Sequence, residues 1–284
     1  MFKRTEKHIT DEDAKKTLPH NRKEVFFDLL AHRKMTLFAL SCFVFMFFIP
    51  LAVDLLYFNF LESVAIVNEK YEYLFSLFFY SMLIMLPCMI VGFLGFAGGF
   101  YVTKRLVWQE DVSLAVDFFH GIKENWKHAI INGLVFGLCL FGLVVGGTYL
   151  IIYAPTTPIW CGIGIGGLIL FFLVFGMIVS LNFTQDVYYK NGVLVTFKNS
   201  FCFLGLLNWK VLILFLLSTG TVVTLAIFNL LTLAIGLALF AFINGSVIVI
   251  YTLISHAAFD KYINKEHYPD MVGKGLYKVE DKEA

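Results

Sequence analysis

The chain reads as an all-α integral membrane protein, and three observations lead there. Of its 284 residues, 59% are hydrophobic and 17% aromatic, while only 15% are charged. An ordinary soluble domain is roughly a quarter charged. Mean hydropathy is +0.77, and the apolar residues gather into six runs long enough to cross a bilayer. The expected architecture is six transmembrane helices in three hairpin repeats, with interfacial amphipathic helices on the cytoplasmic side. A net charge of +1 leaves no bulk electrostatic case for a nucleic-acid partner.

Residues 1–34 are polar, with nine Lys or Arg against six Asp or Glu, and no early apolar core marks a cleaved signal peptide. They are expected to form a cytoplasmic tail. Within it, Thr10-Asp11-Glu12-Asp13 is a candidate helix cap, and Val25, Phe26, Leu29 and Leu30 give a short amphipathic lead. The membrane domain is placed at 35–258. Its first span is expected from Met35 to Val53, with Pro50 near the far end, followed by a long outer loop from Asp54 to Glu72. The second runs from Tyr73 to Val102, and Pro87 should kink it.

The stretch Tyr101–Asn132 comes next. A helix starting near Asp111 would place Leu114, Ala115, Phe118, Phe119, Ile122 and Trp126 on one face. Asp117, His120, Lys123, Glu124 and Asn125 would take the other, the pattern of a helix lying in the headgroup region. The third span (His128 to Tyr153) and the fourth (Ile159 to Phe183) are joined by Ala154-Pro155-Thr156-Thr157-Pro158, a tight outer turn. Asp186 to Trp209 returns along the inner surface. The fifth and sixth spans (Lys210 to Phe228, Leu233 to Ile254) follow, and 259–284 is expected to be a polar cytoplasmic tail. Of the 22 Lys and Arg, only Lys70 falls in an outer segment. The positive-inside rule then places both termini in the cytoplasm of a plasma (inner) membrane.

A shift of 83 residues aligns Val112 with Val195, Phe118 with Phe201, Asn125-Trp126-Lys127 with Asn208-Trp209-Lys210, and Gly137 with Gly220. A fainter copy around His32-Arg33-Lys34 gives units of about 24–105, 106–190 and 191–265. Each unit starts and ends inside, so the repeats are parallel rather than inverted. Tryptophan with an adjacent lysine suits the interface. Trp126, Lys127, Trp209, Lys210, Phe118 and Phe119 are therefore the expected membrane anchors, with membrane lipid as their partner.

Few residues carry chemistry. His120, Glu124 and His128 recur at i, i+4 and i+8, but no fourth metal ligand is evident, and no metal site is expected. Cys42, Cys88, Cys139, Cys161 and Cys202 lie in or beside apolar runs and read as small apolar residues. No P-loop, HExxH or GxSxG occurs, and no cofactor signature. The middle thirds of the spans carry no charge, which argues against an ion carrier or an intramembrane hydrolase. Pairs such as Gly95/Gly99 and Gly133/Gly137 allow close helix approach. Asn182, Gln185, Asp186, Asn244, Thr252 and His256 are the candidate polar cavity, at the inner ends of spans four and six.

Lys104-Arg105, Glu110-Asp111, Phe118-Phe119, Lys123 and Asn125-Trp126-Lys127 follow one another as a basic pair, an acidic turn, a Phe-rich helix and a Lys/Asn/aromatic segment. Over Phe100 to Gly133 this resembles the YesL-like family of bacterial integral membrane proteins. The resemblance implies a non-enzymatic accessory or scaffold role beside carbohydrate-uptake systems, with a transporter complex or a homo-oligomer as partner. It supplies no catalytic residues. The other reading is a small-solute or lipid transporter using the polar cavity.

Overall fold

The computed structural model describes residues 19–68, 73–153, 156–220 and 230–277. The Thr10–Asp13 cap, Lys70 and the far end of the fifth span lie outside them. The described residues are helical throughout, with no strand. In chain order they form α1 (Arg22–His32), α2 (Lys34–Val67), α3 (Leu74–Val107), α4 (Leu114–Phe141) and, after one π-helical turn, α5 (Gly147–Tyr153). Then come α6 (Pro158–Tyr188), α7 (Val193–Phe215) with a second π-helical turn at Leu216–Gly220, α8 (Leu230–Phe259) and, after a third at Asp260–Asn264, the short α9 (Lys265–His267). Five of these helical runs are long and apolar enough to cross a membrane, and a sixth follows if the bent α7 counts as one span.

Partner residues across each interface give the helix directions. Phe48 meets Phe93 and Phe58 meets Phe78, so α3 runs antiparallel to α2. Gly98 abuts Phe118, Gly133 abuts Ile90 and Gly137 abuts Leu86, so α4 runs back antiparallel to α3. Glycine is required at these points because a Cβ at Gly98 would sit 2.8 Å from the Phe118 carbonyl oxygen. The small residues therefore let the backbones approach, as their spacing suggested.

Several expectations change. The described part of the expected Asp54–Glu72 loop is helix: α2 continues through Asp54 and Glu62 to Val67, and residues 69–72 lie outside the described residues. At 34 residues α2 is about 51 Å long, well over the roughly 30 Å of a hydrocarbon core. Beyond Asp54, Leu55 packs on the core and Phe58 meets Phe78 of α3, whereas Tyr57, Phe60, Val64, Ile66 and Val67 are exposed. Pro87 and Pro50 both lie inside unbroken helices. Residues 259–284 are not simply a tail. Helix continues to His267, and Gly273–Tyr277 folds back, with the Tyr277 N–H donating to Pro19 O at 2.9 Å.

The Tyr101–Asn132 helix also differs. It starts at Leu114, and it runs through the Asn-Trp-Lys triplet into the span without a break, one stretch of 39 residues to Ile152. Its buried face is Asp117, Phe118, Gly121 and Ala129, whereas Phe119 and Trp126 face outward. Phe118 is therefore a core residue wedged against Phe43 and Phe47, not an interface anchor. Asp117 is buried because Arg105 at the end of α3 pairs with it and the Ser113 N–H donates to it at 2.8 Å. The corresponding stretch of α7 behaves otherwise, bending by 104° between Val193–Leu207 and Trp209–Ser218.

Candidate functional site

The sequence-expected cavity residues are all buried, but α6 divides them between two of its faces. Asn182, Gln185 and Asp186 point toward α4 and α7. Asp186 Oδ1 lies 2.5 Å from His128 Nδ1, and the Asn132 amide donates to Asp186 Oδ2 at 3.3 Å. The Asn182 amide donates to Asn132 Oδ1 at 2.8 Å, and the Gln185 amide to Ser200 Oγ at 2.6 Å. This network ties three helices together through groups that would be costly to bury singly. Because His128 turns to Asp186 while His120 pairs with Glu124 at 3.3 Å, the i, i+4, i+8 series is not one ligand set. Among the described residues no group of three His, Cys, Asp or Glu is placed to hold a metal.

Asn244, Thr252 and His256 face the other way, onto the axis between α3, α6 and α8. Here two cavities meet. The larger, about 290 Å³, is walled by α2, α3, α4 and α8, and among the described residues Asn59 and Glu62 are its polar lining. Leu51, Met82, Met85 and Leu140 are among its apolar walls. Phe93, Phe96 and Phe136 form its floor and are also the roof of a second cavity of about 30 Å³. That one is lined by Ser180, Ser218, Asn244 and Tyr251, and its volume suits about two waters. The Asn244 Nδ2 has no hydrogen-bond partner, and the Tyr251 hydroxyl, beside Ser180 and Ser218, makes no bond in good geometry. Both residues are buried.

Toward the C-terminal end of α8 the polar series continues. Thr103 Oγ1 and Thr252 Oγ1 share a hydrogen bond of 3.0 Å between α3 and α8. One turn on, Ser255 and the fully buried His256 have no hydrogen-bond partner. His256 lies against Tyr188 (ring centroids 4.9 Å) and Trp108 (6.2 Å), two residues that sequence reasoning did not single out. Their only signal was aromatic placement at helix ends, which the many other aromatics of this chain obscure. The axis is thus apolar at one end and polar at the other, with a phenylalanine partition between.

An ionic layer closes the end of the bundle where α1 meets the segment after α8. Arg22 of α1 pairs with Asp260 at 2.9 Å, Arg105 with Glu110 at 3.1 Å, and Lys274 with Glu110 at 3.0 Å. Burial pushes the Glu110 carboxyl upward, but hydrogen bonds and charge from Lys274 and Arg105 outweigh it and hold it below its ordinary value of 4.5. A depressed carboxyl contributes stability that is complete above the ordinary value and is lost as pH falls through the lower, folded one. Amide hydrogen exchange at Leu276 and Tyr277, corrected for intrinsic rate, should therefore accelerate below pH 4.5. Protection that stays constant down to pH 3 would count against this latch.

Comparison with protein-family models, curated proteins and solved structures finds no match. The class is defined by the chain's own fold: an all-helical protein whose long apolar helices can cross a membrane, enclosing an axial cavity of graded polarity.

Proposed function

We propose that this chain is a multi-pass plasma-membrane protein that binds and moves an amphipathic, lipid-like molecule. It has six spans in three hairpin units and both termini in the cytoplasm. Trp126 and Trp209, outward-facing with Lys127 and Lys210 stacked near their rings at 5.6 and 5.9 Å, anchor it at the headgroup level. The observation that carries the reading is the 290 Å³ apolar chamber, which abuts a polar column leading toward the inner end. A pocket with apolar walls and a few convergent polar groups is the usual form of a small-molecule site. An accessory role beside a carbohydrate transporter needs no such chamber, and the chamber gives the chain a ligand of its own.

The test fills the chamber. Met85 is 3% exposed and lines it. The wild type should carry a lipid adduct in native mass spectrometry, and Met85→Trp should remove it while leaving the elution profile in mild detergent unchanged. A surface variant, Val116→Trp, should retain the adduct. If Met85→Trp carried the same lipid as wild type, the chamber would not be the binding site.

A further inference from the structure

We infer that the inner end of the column is a binding site for an anionic oxygen group, a phosphate or phosphate-like head, enclosed by the strap Pro269–Tyr277. This deepens the proposed function by naming the charge of the head, and part of its test stands without that reading.

The argument begins with charge. Lys104 is half-buried at the end of α3, and no carboxylate lies within ion-pair distance of it among the described residues. Its one hydrogen bond is to the Val187 carbonyl, at 2.5 Å. The ammonium sits 4.6 Å from the centre of the Trp108 ring and 5.5 Å from that of Tyr188. Rings can hold a cation in place, but they do not neutralise it. The neighbouring carboxylates are already occupied. Asp260 receives Arg22, the Asn264 amide (2.8 Å) and the Gly273 N–H (3.2 Å), while Glu110 receives Arg105 and Lys274.

The polar atoms around Lys104 are also rich in unused donors. Trp108 Nε1 and Arg22 Nε can only donate, and both are buried without a partner. The Tyr188 hydroxyl, with its residue 5% exposed, and both ring nitrogens of the fully buried His256 are likewise unpaired. Asp260 Oδ1 lies 3.4 Å from His256 Nε2 but off the hydrogen-bonding direction. The Trp108, Tyr188 and His256 rings touch pairwise at 4.9 to 6.2 Å, so these groups belong to one cluster. A surplus cation among buried, unpaired polar groups selects an anion that accepts several hydrogen bonds.

The strap explains how such a group enters. Lys274 lies 3.6 Å over the outer face of Trp108 and reaches Glu110. Its carbonyl accepts from Arg22 Nη1 at 2.8 Å, and the Met271 backbone lies beside His256. Gly275, at φ +82°, presses on the Val107 carbonyl where no Cβ fits. Met271 and Leu276 of the strap pack on the core, so lifting the strap to expose the cluster breaks those apolar contacts along with the polar ones.

The experiment uses the full chain in a non-ionic detergent, with Trp126, Trp160 and Trp209 changed to Phe so that emission reports Trp108. One arm titrates inorganic phosphate against sodium chloride of equal ionic strength; the other titrates dihexanoyl phosphatidic acid against dihexanoyl phosphatidylcholine. The expected result is a saturable emission change with the anionic probe only. Lys104→Met should raise half-saturation about tenfold or more, Lys104→Arg should keep it near wild type, and Lys274→Ala should speed the approach to saturation. A response to phosphate identifies the free anion as sufficient; a response to phosphatidic acid alone identifies a lipid head. No saturable response to either, or an unchanged Lys104→Met, overturns the site. Should the triple Trp variant fail to fold, the melting midpoint of the unmodified chain gives the same comparison. Met85→Trp separates the two readings: it should weaken the phosphatidic acid arm and leave the phosphate arm intact.

Discussion

Gly245→Val should abolish folded protein, with the chain recovered only as aggregate by fluorescence-detected size exclusion. Gly245 is where α8 crosses α2. Its N–H donates to Ser41 Oγ at 2.7 Å, and the Leu37 carbonyl lies directly against the space a side chain would need. A Cβ there would also stand 2.7 Å from Ser41 Oγ. The obstacle is backbone rather than a flexible side-chain tip, so it cannot rotate aside. Overpacking a tight site costs about 1–3 kcal/mol, and a branched residue against backbone belongs at or above the upper end. That is a large part of the total stability of a typical domain. The loss also reaches function, because α2 and α8 wall the apolar chamber together. Gly245→Ala should fall between Val and wild type, and Ser41→Ala, which removes the hydroxyl but adds no bulk, should be the mildest. A monodisperse Gly245→Val with an unchanged melting midpoint would show that the crossing is looser than its contacts indicate.

Removing Asp186 is the second large effect. Asp186→Leu should destabilise the protein by about 2 kcal/mol, read as a fall in the sodium dodecyl sulfate unfolding midpoint. Breaking a buried charged pair costs about 3–5 kcal/mol in soluble proteins. Inside a membrane, hydrogen bonds measured by double-mutant cycles average nearer 0.6 kcal/mol, since the unfolded reference also finds partners. The network here is charged but leaves His128 partly open, with its side chain 21% exposed, so the expected value lies between these limits. Asp186→Asn should cost less, because an amide oxygen can still accept from His128, although the amide NH2 then faces the Asn132 donor on the other side. The double variant His128→Leu/Asp186→Leu should recover part of the loss, giving a coupling energy of about 1 kcal/mol. Simple additivity of the two single variants would deny that the pair acts as a unit.

The two sites differ in what their polar atoms do. On the α4–α6–α7 side the side chains mostly satisfy one another, as expected of groups that fix helix positions. On the axis Asn244, Tyr251, Ser255, His256 and Tyr188 keep unpaired atoms. Buried polar groups that persist without partners call for an explanation, and a ligand or ordered water at the axis supplies one. Composition could not separate these cases: Asn182 and Asn244 have the same chemistry and similar apolar neighbours in sequence.

Hydropathy, helix period and charge were enough to establish an all-helical chain with long apolar helices, because burying backbone polar groups in an apolar medium requires helices whatever the side-chain order. Of the four small-residue pairs in the sequence, Gly95/Gly99 and Gly133/Gly137 are contact points, whereas in Gly142/Gly146 and Gly162/Gly166 a Cβ at Gly142, Gly162 or Gly166 would meet nothing within 4 Å. Local pattern misplaced what depended on neighbours. Asp54 and Glu62 read as loop because they are charged, yet α3 supplies an apolar surface that keeps α2 helical around them. Asp117 read as solvent-facing, yet Arg105, twelve residues earlier, draws it into the core and carries Phe118 with it. The division of the polar residues between two faces of α6, the phenylalanine partition and the unpaired cluster beside Lys104 were decided by tertiary structure alone. Each depends on which helices meet, and contacts between residues as distant in sequence as Arg22 and Lys274, or Pro19 and Tyr277, leave no periodic trace in the sequence.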